Sequence, residues 1–88
     1  MKKQSLEDLL FKKKPLQILL SLLSGPKYIT QIARKVNSPY PHVYKILKSF
    51  ERTGIINLEK SGRIRVVSLT KKGENILEKL KEFLKIIE

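Results

Sequence analysis

Apolar positions recur at helical spacing in several stretches of the chain and give way to strand spacing in one, with turn residues at the breaks. In "SLEDLLFKKK", Ser5 and Asp8 predict the cap and acidic first turn of a short helix, with Lys12 to Lys14 at its C-terminal end, where cations suit the helix dipole. Pro15 then fits the first position of a second helix, in which Leu16, Leu19, Leu20 and Leu23 recur at 0, 3, 4 and 7 until Gly25-Pro26 stops it. The stretch "KYITQIARKVN" predicts a short strand near Lys27 to Ile29, Thr30 as an N-cap and a helix over about residues 31 to 36 with Ile32, Ala33 and Val36 inward. Asn37 and Ser38 predict a tight turn, because both residue types satisfy backbone groups locally.

In "NSPYPHVYKIL" the two prolines restrict the residues before them, Ser38 and Tyr40, to extended conformations, so a helix starts no earlier than about residue 40. Pro41 in the first turn costs no intrahelical bond. Val43, Ile46, Leu47 and Phe50 then fall at 0, 3, 4 and 7 and predict a core-facing stripe. The opposite stripe, Pro41, Tyr44, Lys45, Lys48 and Arg52, carries a donor suited to phosphates or base edges at every position after the proline. Gly54 predicts the helix stop, and "IINLEKSGRIRVVSLT" turns to β-branched, extended character around a Ser61-Gly62 turn signal. A β-hairpin is expected, residues 55 to 60 against 63 to 69, with Lys60, Arg63 and Arg65 at its tip. Thr70 predicts the cap of a last helix whose Ile76, Leu77, Leu80, Phe83, Leu84 and Ile87 make an apolar face wider than one small domain can cover. A second copy of the chain is its most economical partner.

Composition narrows the function. At 88 residues the chain is read as one domain over 1–88, with 70–88 as a dimerisation helix. Its 19 Lys and Arg against 8 Asp and Glu give a net charge of +11, which points to a polyanionic partner. Lysine is in excess over glutamate, whereas heat-adapted surfaces raise the two together. No cysteine is present and His42 is the one histidine, so neither a disulfide framework nor a metal centre is expected. No nucleophile or carboxylate pair stands at catalytic spacing, and no cofactor or enzymatic activity is expected. The basic, partly apolar start resembles an export signal superficially, but Glu7, Asp8 and Pro15 interrupt it, and a cytoplasmic chain with no membrane span is expected.

The order helix, helix, turn, helix, hairpin, helix resembles the winged helix-turn-helix transcriptional regulators, most nearly small archaeal members similar to the MarR and ArsR groups. The resemblance rests on "ITQIARKV", on "HVYKILKSFERTGII" and on "VSLTKKGE", and covers about residues 16 to 75. It implies a mainly α fold with a small β-hairpin (α+β), and a homodimer whose third helix enters the major groove while the wing reaches phosphates or the minor groove. It places Pro41, His42, Tyr44, Lys45 and Lys48 on the reading helix and makes Arg63 the wing arginine. Many MarR-type wings hold that arginine with a nearby aspartate, whereas this tip reads Lys60-Ser61-Gly62.

The expected function is thus sequence-preferring binding of double-stranded DNA in transcription regulation, as a repressor. Tyr40, Pro41, His42, Tyr44, Lys45, Lys48, Arg52, Lys60, Arg63 and Arg65 are the candidate DNA contacts. The competing reading is a winged-helix module that docks a larger transcription or replication assembly through its last helix. RNA binding is disfavoured, because three Tyr and three Phe, most of the latter on apolar stripes, make no stacking platform.

Overall fold

Helix α1 (Lys13–Leu20), in the computed structural model, which describes residues 12–87, runs on into a 3-10 turn at Ser21–Ser24. Short strand β1 (Lys27–Tyr28), helix α2 (Ile29–Lys35) and helix α3 (Tyr40–Arg52) follow. Strands β2 (Ile56–Ser61) and β3 (Ile64–Leu69) form the hairpin, and α4 (Lys71–Ile87) is the last element of the described residues. The helix expected from Ser5 lies almost wholly outside the described residues, and Lys13 and Lys14 open α1 rather than close a preceding helix.

The stripe on α1 is turned by one residue from the expected one. Pro15, Ile18, Leu19 and Leu22 are the buried set, while Leu16 is half-buried and Leu23 is 46% exposed. Pro15 is the third helical residue, not the first. It still breaks no helical bond, because the ladder begins with the Leu16 amide donating to the Lys12 carbonyl at 3.1 Å. Helix α2 starts earlier than Thr30 suggests. Its N-cap is Tyr28, whose backbone N–H donates to the Gln31 side-chain oxygen at 2.8 Å.

The turn after α2 closes by paired bonds. The Ser38 amide donates to the Ala33 carbonyl at 3.0 Å and the Asn37 amide to the Arg34 carbonyl at 3.3 Å, with Asn37 in the left-handed region at φ 54°. The Lys14 ammonium donates to the Val36 carbonyl and adds a cation to this helix end. Helix α3 begins at Tyr40 after Pro39, so Tyr40 is helical and not extended, in spite of the bias from Pro41. At its other end the Ile55 amide donates to the Phe50 carbonyl at 3.1 Å and the Gly54 amide to the Glu51 carbonyl at 3.0 Å, with Gly54 at φ 79°. Gly54 is the expected stop, and it passes the chain directly into β2.

The sheet is antiparallel in the order β1-β3-β2, and the hairpin register pairs Ser61 with Ile64. The two-residue loop is therefore Gly62-Arg63, one position beyond the expected Ser61-Gly62 turn, with Gly62 taking the positive φ of 64° that its first position requires. On one face of the hairpin lie the pairs Ile56 with Leu69, Leu58 with Val67 and Lys60 with Arg65. That face closes over the core, for Ile56 and Val67 are fully buried.

One contiguous core joins α1, α2, α3, the hairpin and the start of α4. The α3 stripe of Val43, Ile46, Leu47 and Phe50 is buried as its spacing demands, and each such side chain contributes about 1.5–3 kcal/mol. Thr70 caps α4 by accepting the Gly73 amide at 3.0 Å, and its hydroxyl lies 2.6 Å from the Gly54 carbonyl and 3.0 Å from that of Ile55. The Lys72 ammonium donates to the Thr53 carbonyl at 3.1 Å. The start of α4 is thus fastened to the end of α3. Leu77 is fully buried, which removes it from the surface a partner could touch. Ile76 and Leu80 pack partly on the core, whereas Phe83 and Ile86 are 58% and 81% exposed. The side chain of Ile87 lies outside the described residues.

Candidate nucleic-acid interface

The outward flank of α3 follows from its inward one. With Val43, Ile46, Leu47 and Phe50 committed to the core, Pro41, His42, Lys45 and Arg52 are exposed and Tyr44 and Lys48 half-buried. Lys45 makes no side-chain hydrogen bond or ion pair among the described residues. Lys48 differs. Its ammonium lies 2.9 Å from the Glu51 carboxylate, and that hydrogen bond, with the adjacent negative charge, holds it above the ordinary lysine range. Arg52 donates one of its five guanidinium N–H groups to the Ser49 hydroxyl at 3.1 Å.

At the start of α3, Tyr40 and Tyr44 stack one turn apart, with ring centroids 6.4 Å apart and planes inclined by 8°. Arg65 reaches from β3 to the same place, its guanidinium carbon 4.7 Å from the centroid of the Tyr44 ring. The wing thus touches the outward stripe of α3 directly. Lys60, paired across from Arg65, shares its face of the hairpin, and Arg63 is exposed in the loop. A cleft of about 170 Å³ lies between these elements, lined by Tyr28, Thr30, Tyr40, Arg63, Ile64 and Arg65.

The candidate residues accordingly fall into three groups. Tyr40, Tyr44 and Arg65 are gathered into one cluster at the junction of helix and wing. Lys45, Lys48 and Arg52 continue along α3 away from it, and Lys60 and Arg63 stand at the wing tip. His42 is exposed in the first turn, with its backbone amide donating to the Pro39 carbonyl at 3.1 Å and no side-chain partner among the described residues. Sequence reading missed the lysine-glutamate pair, although the i, i+3 spacing of Lys48 and Glu51 displays it. It also missed Tyr28 and Ile64, which are 44% and 47% exposed, and nothing in their local sequence marks them as neighbours of Tyr40.

The pairing of Lys48 with Glu51 has a measurable consequence. Glu51→Gln removes an acid from the cationic stripe and frees the ammonium, so binding to duplex DNA is expected to tighten roughly threefold at low salt. Titration by fluorescence anisotropy reads the change, and unchanged or weaker binding counts against a phosphate-facing Lys48.

Comparison with known proteins places this geometry. A protein of Archaeoglobus fulgidus is 41% identical over 85 residues, a span covering 91% of this chain and 90% of the relative. The crystal structure of AF1382 from Archaeoglobus fulgidus, also 41% identical, superposes with a TM-score of 0.81 over 91% of this chain and 93% of that one. The homodimeric winged helix-turn-helix DNA-binding domain of Mb0332 from Mycobacterium bovis, described as a possible ArsR-family transcriptional regulator, gives a TM-score of 0.81 at 15% identity, covering 97% of this chain and 91% of that domain. At such identity the likeness is one of fold: the four helices and three-stranded sheet of the described residues are a winged helix-turn-helix. Residues 6–73 match the model of the family described as "Sugar-specific transcriptional regulator TrmB". With that match over most of its length, and with its helix-turn-helix and wing in place, the chain belongs to the TrmB family of transcriptional regulators.

Proposed function

We propose that the protein binds double-stranded DNA with sequence preference, as a homodimer, and represses transcription by occluding promoters. The observation that carries this reading is the contact of Arg65 with Tyr44, which brings the wing, with Lys60 and Arg63 at its tip, against the outward stripe of α3. A convex helix flanked by a projecting hairpin fits a major groove and its bordering phosphates. Lys45, Lys48 and Arg52 on the helix and Lys60 and Arg63 on the wing are the contacts to base edges and phosphates. His42 and Pro41 stand in the first turn of α3, where the absence of an acidic residue leaves the positive end of the helix dipole uncompensated. Each phosphate neutralised contributes about 0.9 to the slope of log affinity against log salt.

Dimerisation through α4 is supported by the exposed Phe83 and Ile86 beside half-buried Leu84, Leu80 and Ile76, and by the homodimeric state of the Mycobacterium bovis domain. Replacing Phe83 and Ile86 together by aspartate is expected to yield a monomer that keeps its fold, with operator affinity reduced at least about tenfold through lost avidity. Sedimentation equilibrium and circular dichroism check both halves of that outcome. An archaeal source and a cytoplasmic location accord with the Archaeoglobus relative and the regulator family.

The decisive experiment is selection of bound fragments from random duplex DNA, with the stoichiometry of the resulting complex measured. The expected product is a two-fold symmetric site with half-sites about one helical turn apart, bound by two chains. Recovery of no preferred sequence, or a single chain per site, refutes the reading.

A further inference from the structure

The hairpin contains an electrostatic oddity. Lys60 and Arg65 stand directly opposite one another across β2 and β3, an arrangement of like charges that ordinarily weakens a strand pair. Arg65 does not extend to solvent beside Lys60. Its guanidinium lies over the Tyr44 ring, itself stacked on Tyr40, and both Arg65 and Tyr44 are partly shielded from solvent. A planar guanidinium gains from lying on an aromatic face in a way that an ammonium does not. Tyr44 belongs to α3 and Arg65 to β3, so this contact fixes the wing tip relative to the first turns of the reading helix.

Resting on the DNA-binding reading above, we infer that Arg65 is a positioning residue: its stack on Tyr44 sets the angle of the wing, and so the separation of Arg63 and Lys60 from Lys45 and Lys48, instead of neutralising a phosphate. Tyr44 is the seat of that stack and not a base-reading group. Lys60, left alone at the rim by the inward lean of Arg65, becomes the free cation of the pair.

Arginine-to-lysine replacement separates the two roles, because lysine keeps the charge that a phosphate contact needs and loses the flat surface that a stack needs. The affinity of the best duplex recovered by selection is measured over a series of potassium chloride concentrations for the wild type, Arg65→Ala, Arg65→Lys, Tyr44→Leu, Tyr44→Phe and the double variant Arg65→Ala/Tyr44→Leu. Expected are losses of roughly fivefold for each of the first three variants, near wild-type binding for Tyr44→Phe, and a double variant no weaker than either single one. The salt slope stays at its wild-type value throughout. The inference is overturned if Arg65→Lys binds like the wild type while Arg65→Ala flattens the slope by about 0.9, or if the two single losses multiply in the double variant.

Spectra of the free chain keep the question separate from DNA binding. The Arg65 side-chain protons are expected upfield of their usual positions through the Tyr44 ring current, with the displacement lost in Tyr44→Leu and kept in Tyr44→Phe. Absence of that displacement from wild-type spectra overturns the stack even where DNA binds, whereas a wild type that prefers no duplex refutes the regulator reading and leaves the stack to be judged by these resonances.

Discussion

Gly73→Ala is expected to lower the melting temperature by roughly 15 °C, equivalent to about 3 kcal/mol for a domain of this size. A Cβ at residue 73 would stand 2.1 Å from the carbonyl oxygen of Ile55 and 3.1 Å from its carbon. Neither atom can retreat. The Ile55 carbonyl accepts the Thr70 amide at 3.0 Å, and its residue is fully buried at the exit of α3. The methyl group therefore has to move α4 bodily, which breaks the bonds from Thr70 to the end of α3. Gly54→Ala is the control, since a Cβ there meets nothing within 4 Å and only the positive φ is penalised, at about 1 kcal/mol. Thermal unfolding of the two variants side by side measures the difference. If Gly73→Ala melts within about 2 °C of the wild type, the close approach of α4 to Ile55 is wrong.

Lys45→Glu is expected to weaken operator binding roughly 100-fold at low salt while leaving the melting temperature nearly unchanged. The side chain is exposed at the middle of the outward stripe and has no partner among the described residues, so its reversal removes little from the fold. At a phosphate-lined groove it removes one cation and adds one anion, and the salt slope should fall by about 0.9 to 1.8. A duplex bound with wild-type affinity and slope by this variant would mean that α3 presents a different flank to its target. Lys48→Ala is the milder companion, because Glu51 already shares that charge.

The parts of the fold that were legible in the sequence are those in which a single pattern admits one reading. The α3 stripe alternates cleanly with polar positions, Gly54 is the one residue there that takes a left-handed conformation at no cost, and Thr70 stands three residues before Gly73. The face of α1 was not legible, because "PLQILLSLL" contains two overlapping helical stripes. Pro15, Ile18, Leu19 and Leu22 satisfy the spacing as well as Leu16, Leu19, Leu20 and Leu23 do, and fit against the neighbouring elements selects the first. The cap of α2 escaped for a related reason: Thr30 has the chemistry of a cap, but the chain turns two residues earlier, where the Gln31 side chain reaches back to the Tyr28 amide.

The candidate interface was legible as a list of cations and not as an arrangement. Periodicity puts Lys45 and Lys48 on the flank opposite Phe50, yet it cannot bring Arg65 to Tyr44, two residues far apart in the chain and joined only by the fold. Nor does it separate Leu77 from Phe83 on α4. Both are apolar at compatible spacing, and the place where the helix leaves the body of the protein decides which is interior.

The fastening of α4 to the end of α3 bears on how two chains would measure DNA. Thr70, Lys72 and Gly73 together leave no loose joint between α4, the proposed dimerisation helix, and α3, the proposed reading helix. A pair of such chains would behave as a fixed caliper. It would accept recognition sequences at one spacing and refuse those lengthened or shortened by a single base pair, with the centre of the site serving as a ruler mark that the protein never touches.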